Sequence, residues 1–245
     1  MRILEEKSAK DKELVISLGG SVITKDNYSN VDKILSQLLT LSRKYHLFVV
    51  TGGGTLARNL IEIVKNKNNM SYKKYYTPKK IESMKEYILD EIGIAATHLH
   101  AKLFAALLGY KKYPVPPQIK NAINLRNHYR IVFMGGTLPG RSTDTVAAEL
   151  AAKVKAECLI NVSDIKGVYD KDPDKHKDAK LLRKISYEEL WKIIKHYPQS
   201  PGEYKLFDHK ALEIVKKHRI PVKFVHFEDI SNFDDDNIGT LVCNS

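Results

Sequence analysis

Residues 47–65 read LFVVTGGGTLARNLIEIVK: a short apolar run, three consecutive glycines, then a helical pattern. An apolar run of this length that stops at glycines predicts a buried strand, a sharp turn and a helix packed back on the strand. Working outward, LVISLGGSVIT at 14–24 repeats the arrangement, with a strand ending at Gly19-Gly20. Between them, residues 30–44 place Val31, Ile34, Leu35, Leu38, Leu39 and Leu41 largely on one helical face, with Asn30 as the expected cap.

The pattern returns in the second half. Residues 130–134 predict a strand, 135–141 a glycine-rich loop, 144–155 an alanine-rich helix and 157–162 another strand. A long polar loop, SDIKGVYDKDPDKHKDAK, follows. Ser186 then caps a helix beginning YEELWKII, with Glu189 placed for a capping box. A helix over 205–217, a strand over 222–226 and a closing strand over 238–242 complete the chain. Residues 66–78 predict an exposed connection; a helical pattern resumes over 92–108 and ends near Gly109, before Pro114, Pro116 and Pro117. Short apolar strands alternating with helices imply a mainly parallel sheet covered on both faces, whose ligands sit at the carboxyl ends of the strands. The glycine clusters fall there three times.

Composition narrows the function. At 245 residues the chain is long enough for one large domain with a substantial core. It holds no uninterrupted apolar run of membrane-spanning length, and its first residues mix both charges, so no membrane partner and a cytoplasmic location are expected. Two cysteines, Cys158 and Cys243, without paired spacing predict buried thiols rather than a disulfide framework or metal site. A net charge of +11 suits nucleic acid or anionic metabolites alike, but the lysines are scattered and no DNA-binding motif accompanies them. No nucleic-acid partner is expected. His98 and His100, two apart on a helix, do not face each other and predict no metal pair.

Gly19-Gly20-Ser21 and Gly52-Gly53-Gly54-Thr55 bring backbone amides close to anionic oxygens, and a following helix adds its N-terminal dipole. The third cluster, residues 135–144, combines glycines with Thr137, Arg141, Ser142, Thr143 and Asp144; amides, hydroxyls and arginine hold phosphate, and the carboxylate orients a cation or a donor. A Ser/Thr or Asx cap on the next helix is the structural alternative. No loop has the spacing GxxxxGK[ST] or GxGxxG, and neither HExxH nor GxSxG occurs. Arg58 lies one turn into the helix after the glycine triplet, as a cationic fork or a surface ion-pair partner. Asp90 suits a hydrogen bond to a sugar or base, or a cap for a helix beginning near Glu91. Tyr169 either packs beside a base or anchors its loop, Asp172-Pro173 forms a turn, and Asp208 either orients a group of the site or caps a helix.

Taken in order, LVISLGGSVIT at 14–24, VVTGGGTLARNLIE at 49–62, DEIGIAATHLHAKLFAALL at 90–108, MGGTLPGRSTDTVAAELAA at 134–152, INVSDIKGVYDKDP at 160–173 and KLFDHKALEIV at 205–215 resemble the amino acid kinase superfamily, and within it the archaeal uridylate (UMP) kinases. The resemblance runs through nearly the whole chain from residue 12. It implies a three-layer α/β/α sandwich over 1–245, ATP as phosphoryl donor with Mg²⁺, UMP as acceptor, direct transfer to give UDP, and a homo-oligomer, a hexamer in that family. Acceptor-side features are expected mainly in 47–145, and ATP-side features in 158–245 plus residues 19–21. By the same resemblance Gly20, Ser21, Gly54 and Arg58 approach the ATP phosphates, and Ser163, Asp164, Tyr169 and Asp172 hold the adenosine. Gly53, Asp90, Gly136, Thr137, Leu138, Pro139, Gly140, Arg141 and Ser142 match acceptor positions. Arg58 and Asp144 are the expected catalytic groups; no metal site built from protein side chains alone is expected.

The chain departs from the pattern at three places. Many superfamily members carry lysine where Ser17 stands, aspartate where Lys166 stands, and related UMP kinases often have arginine at His98. Isopentenyl phosphate kinases share the first motif, but their glycine triplet is typically followed by a histidine-bearing loop, where this chain has Thr55-Leu56-Ala57-Arg58. Oxyanion-storage proteins of the same fold are the non-catalytic alternative.

Overall fold

The computed structural model describes residues 12–24, 26, 28–66, 75, 77–195 and 206–244. Most of the connection expected over 66–78, and Lys205 at the head of the expected 205–217 helix, lie outside the described residues.

The strands are β1 (Glu13–Leu18), β2 (His46–Thr51), β3 (Ile131–Met134), β4 (Cys158–Ser163), β5 (Lys184–Ser186), β6 (Val222–His226) and β7 (Thr240–Cys243). They form one sheet in the order β3-β2-β1-β4-β6-β7-β5. Every pairing is parallel except β6 with β7. The helices are α1 (Gly20–Thr24), α2 (Val31–Ser42), α3 (Gly54–Asn66), α4 (Pro78–Leu107), α5 (Ile119–Leu125), α6 (Thr143–Val154), α7 (Tyr187–Ile194) and α8 (His209–His218).

Alternating side chains along each strand feed two cores. Val15, Phe48, Val50 and Leu159 pack under α5, α6, α7 and α8, while Leu14, Ile16, Val49 and Ile160 pack under α1, α2 and α4. Burial on both faces is why these strands are apolar throughout rather than alternating. Each fully buried large side chain, Phe48 or Phe133 among them, adds about 1.5–3 kcal/mol by leaving water. The three-layer α/β/α arrangement is the one expected.

Three local expectations need correction. Asn30 makes no side-chain cap bond to α2; its amide donates to the Val22 carbonyl at 3.3 Å, clipping α1 to the loop before α2. The helix expected from residue 92 begins at Pro78, where Thr77 caps it, so Asp90 is mid-helix and caps no helix start. Cys158 is a free, buried thiol pushed up to about 12 by burial, but Cys243 is only half-buried. The capping box at Ser186 and Glu189 forms with both reciprocal bonds. Among the described residues no helix is long and apolar enough to cross a membrane.

Two features position the site. The chain leaves β1 for β2 on one side, yet β4 lies on the other side of β1, so a crevice opens where the strand order reverses. At the β3 edge the Tyr113 hydroxyl donates to the Phe133 carbonyl (2.7 Å) and accepts from the Phe133 amide (2.8 Å), occupying backbone groups that would otherwise invite another strand.

Candidate active site

The first two glycine loops meet backbone to backbone at the heads of β1 and β2. A Cβ on Gly20 would collide with the Gly54 amide nitrogen and lie 2.7 Å from the Gly52 carbonyl carbon. Gly54 has φ +55 and a Cβ there would strike the Gly20 carbonyl, so both conformation and space require glycine. A chain of hydroxyls stitches the crossing. Thr24 Oγ1 donates to the Gly20 carbonyl (3.0 Å), accepts from the Thr55 amide (3.0 Å) and lies 3.1 Å from Thr55 Oγ1. Arg58 donates to Thr55 Oγ1 at 3.0 Å. Ser21 sits beside this crossing, exposed on α1, and α3 begins at Gly54, aiming its positive end at the crevice.

Arg58 is exposed and, with Ile61, Leu89 and Asp90, lines a groove of about 460 Å³ between α3 and α4. Across it, Asp90 Oδ2 accepts from the Gly140 amide at 2.7 Å, fixing the tip of the third loop. The remainder of that loop leans on α4: Gly136 donates its amide to Thr97 Oγ1 (2.7 Å), and His98 Nε2 bonds the Gly136 carbonyl (2.7 Å). A Cβ on Gly135 would clash with Thr97 Oγ1 and come within 2.8 Å of the His98 nitrogen, so this close approach depends on glycine. Thr137 Oγ1 is buried with no hydrogen-bond partner among the described residues. A buried, orphaned hydroxyl is costly unless a ligand supplies its partner, which fits a polar acceptor. Leu138 and Gly140 are exposed and Pro139 half-buried on the same rim. Ser142 caps α6 by accepting from the Thr145 amide (3.1 Å). Arg141 is turned to Glu149, donating from one guanidinium nitrogen to both carboxylate oxygens (2.9 and 2.6 Å).

Below the crossing lies a polar cluster in an otherwise apolar layer. Ser17 and Asn161 are neighbours across β1 and β4, both buried, and both donate to Asp144 Oδ1, at 2.7 and 3.1 Å. Asp144 is in the first turn of α6, above the crevice where the strand order reverses. Two neutral donors fix its carboxylate in one orientation. A carboxylate held in this way suits a hard divalent cation such as Mg²⁺, which takes carboxylate and phosphate oxygens.

The other predicted positions lie along the chain leaving β4. The Gly19 amide donates to the Val162 carbonyl (3.0 Å), joining the first loop to the end of β4, where Ser163 closes a turn on Ile165 (3.3 Å). Asp164 is exposed and Tyr169 pairs with Leu181 in an isolated antiparallel bridge. Asp172 is buried and accepts from the Asp174 amide at 3.0 Å, with Lys175 at 3.4 Å, so its carboxylate faces its own turn. Asp208 caps α8 through the Lys210 (2.6 Å) and Ala211 (3.3 Å) amides. Lys166 is exposed on the loop that follows β4.

The model of the amino acid kinase family matches residues 12–226. The chain belongs to that family. Among its relatives, this family member is 36% identical over 225 residues to the uridylate kinase of Thermoplasma acidophilum, covering 91% of each chain. It is 34% identical over 234 residues to the uridylate kinase of Methanothermobacter thermautotrophicus, covering 94% of this chain and 98% of that one. The crystal structure of uridylate kinase from Archaeoglobus fulgidus superposes with a TM-score of 0.78 at 29% identity, over 94% of this chain and 100% of that one.

Sequence reading missed Thr24, Thr97, His100 and Asn161 as parts of the site, and named Thr55 only as the end of the second glycine cluster. The signal for Asn161 was available: a polar residue inside the apolar run CLINVS asks for a buried partner. For the threonines, no local pattern marks which hydroxyl will bridge two loops distant in sequence.

Proposed function

We propose that the protein transfers the γ-phosphoryl group of ATP to UMP, giving UDP and ADP. The observation that carries this reading is the crossing of Gly20 over Gly52 and Gly54, flanked by the Arg58–Asp90 groove and by Asp144 over the crevice. Its relatives' printed activity supplies the acceptor. ATP phosphates lie against Gly20, Ser21, Gly54 and Arg58, with adenosine along Ser163, Asp164, Tyr169 and Asp172. UMP lies along Gly53, Asp90 and residues 136–142. The acceptor half therefore spans 47–145, and the donor half 158–245 with residues 19–21.

A phosphate oxygen of UMP attacks the γ-phosphorus in line, and the bond to the β–γ bridging oxygen breaks as ADP leaves. No covalent enzyme intermediate is formed. Backbone amides at the helix N-termini and the Arg58 fork stabilise charge that spreads over the transferring group. Ser17 and Asn161 hold Asp144 in one orientation, so no reorganisation is needed as the group moves. Asp144 would be the protein-side partner of Mg²⁺ bound with ATP, which would supply further charge neutralisation. The exposed apolar side chains Leu60 and Ile63 on α3 and Leu99 and Leu107 on α4 give a surface for self-association, as a hexamer, and the site of action is the cytoplasm.

Initial-rate kinetics with both substrates varied tests the mechanism. Direct transfer predicts intersecting double-reciprocal lines; parallel lines, with ATP converted to ADP before UMP binds, would sink it.

A further inference from the structure

We propose that one turn of α4, residues 97–100, is a positioning device for the acceptor site, with His98 and His100 gripping two different glycine loops. His98 Nε2 is 2.7 Å from the Gly136 carbonyl, and His100 Nδ1 is 2.7 Å from the Gly52 carbonyl. A carbonyl only accepts, so each of these ring nitrogens carries a hydrogen. The two rings therefore use opposite nitrogens. Thr97 completes the grip: its hydroxyl accepts from the Gly136 amide (2.7 Å), and its carbonyl accepts from Thr51 Oγ1 (2.8 Å), which also reaches the Met134 carbonyl (3.2 Å). The ends of β2 and β3 are thus tied to one helical turn.

The two histidines differ in reach. The ring of His98 bonds the third loop, at the Gly136 carbonyl. His100 is almost wholly buried, and its Nε2 lies 3.2 Å from the Tyr28 hydroxyl, on the connection that follows α1. With Nδ1 donating to Gly52, the neutral ring accepts from Tyr28 at Nε2. His100 therefore links the neighbourhood of the first loop to the second, where the donor phosphates and the acceptor are expected to meet. Two residues apart on one helix, the side chains diverge, and each finds a different loop. Each ring is bonded to a loop carbonyl, so both are positioning residues, acting through Gly136 and Gly52.

This inference rests on the UMP kinase reading and adds a division of labour to it. The same two substitutions have opposite outcomes at the two positions, because a glutamine amide nitrogen overlays Nε2 and an asparagine amide nitrogen overlays Nδ1. His98→Gln should keep the UMP KM near that of the wild type. His98→Asn, polar but too short for Gly136, should raise it about three- to tenfold, the worth of one hydrogen bond, with kcat and the ATP KM within about twofold. At the second position His100→Asn should be the milder change, and His100→Gln should raise the KM for both substrates by a similar factor. A merely structural role would lower Tm and the active fraction while leaving both KM values in place. That result, or an identical ranking of Asn and Gln at the two positions, would overturn the proposal. Both readouts are taken on protein whose wild type forms UDP; a wild type that forms none defeats the kinase reading instead.

Discussion

At the heads of β1 and β2 the chain is held by backbone against backbone, with Gly20 pressed on Gly52 and Gly54 so closely that no side chain fits. Beyond β4, the segment between Ser163 and β5 is held by separate hydrogen bonds, main-chain ones between its arms such as the Leu182 amide to the Val168 carbonyl (2.9 Å), and a group that converges on one side chain. Thr240 Oγ1 accepts from the Val168 amide (2.8 Å) and donates to the Leu182 carbonyl, pinning both arms of the loop to β7. The first region has a single arrangement, because main-chain atoms at contact distance cannot yield without moving a strand. The second can loosen one bond at a time. The contrast suits the roles proposed for them, a fixed region for phosphoryl transfer and a region with room to adjust for the adenosine.

Breaking the rigid side should have the largest effect. Gly20→Ala forces the first two loops apart, and a displacement of roughly 1 Å at a reacting centre removes about a hundredfold or more of the rate. Steady-state kcat/KM measures it, and near-normal activity would show that the crossing is not rigid. Removing the fork beside it comes next. Arg58→Ala should lower kcat/KM by about ten- to a hundredfold, the range expected for a charge-assisted hydrogen bond, with unfolding transitions little changed because the side chain is exposed.

The adjustable side should respond more gently. Thr240→Val leaves the Val168 amide and the Leu182 carbonyl without their partner and should destabilise the protein by about 1–3 kcal/mol in denaturant unfolding. The ATP KM should rise several-fold while the UMP KM stays put; an equal rise in both would erase the distinction between the two regions. Ser186→Ala is the control within the same half. Losing the capping box should lower stability by about 1 kcal/mol without moving either KM.

The smallest effect is a slope. Burial holds His100 below the ordinary histidine value of 6.5, against the opposing pull of the Gly52 carbonyl. A depressed folded value means the unfolded chain takes up the proton first as pH falls. The stability tied to the neutral ring is therefore complete above about pH 6.5 and declines as pH drops through the window between that value and the depressed one. Tm measured from pH 7.5 to 5.5 should fall less steeply in His100→Asn than in the wild type. Equal slopes would show that the ring, held by Gly52 and Tyr28, contributes nothing to the acid sensitivity.

The strand-to-glycine heads were legible in the sequence, as were β4, β6, β7 and α7 with its capping box, but the anchoring of the loop after β4 on Thr240 was not. Apolar runs ending in glycines at 14–20 and 47–54 mark strand, turn and helix by local rules alone, and a parallel sheet follows from their repetition. The start of α4 was missed because residues 78–91 are polar and mostly exposed, so the apolar periodicity that betrays a helix is weak there. The three-residue β5 is set by pairing with β7, a tertiary fact that its sequence does not carry. Within the site, Gly20, Gly54, Arg58 and Asp144 stood out by residue type and place. The partners that orient Asp144, Ser17 and Asn161, are small polar residues whose meaning depends on which strand arrives beside that carboxylate, whereas Thr55 lies one turn before Arg58 on the same helix.

The most direct test of the account is a product assay with purified protein, Mg²⁺-ATP and UMP, run beside CMP, isopentenyl phosphate and a no-acceptor control. Nucleotides and isoprenoid phosphates are separated by chromatography. The account predicts UDP and ADP in equal amounts, formed with UMP well above every control. Phosphorylation of isopentenyl phosphate with no UDP formed, by protein that binds ATP, would contradict it.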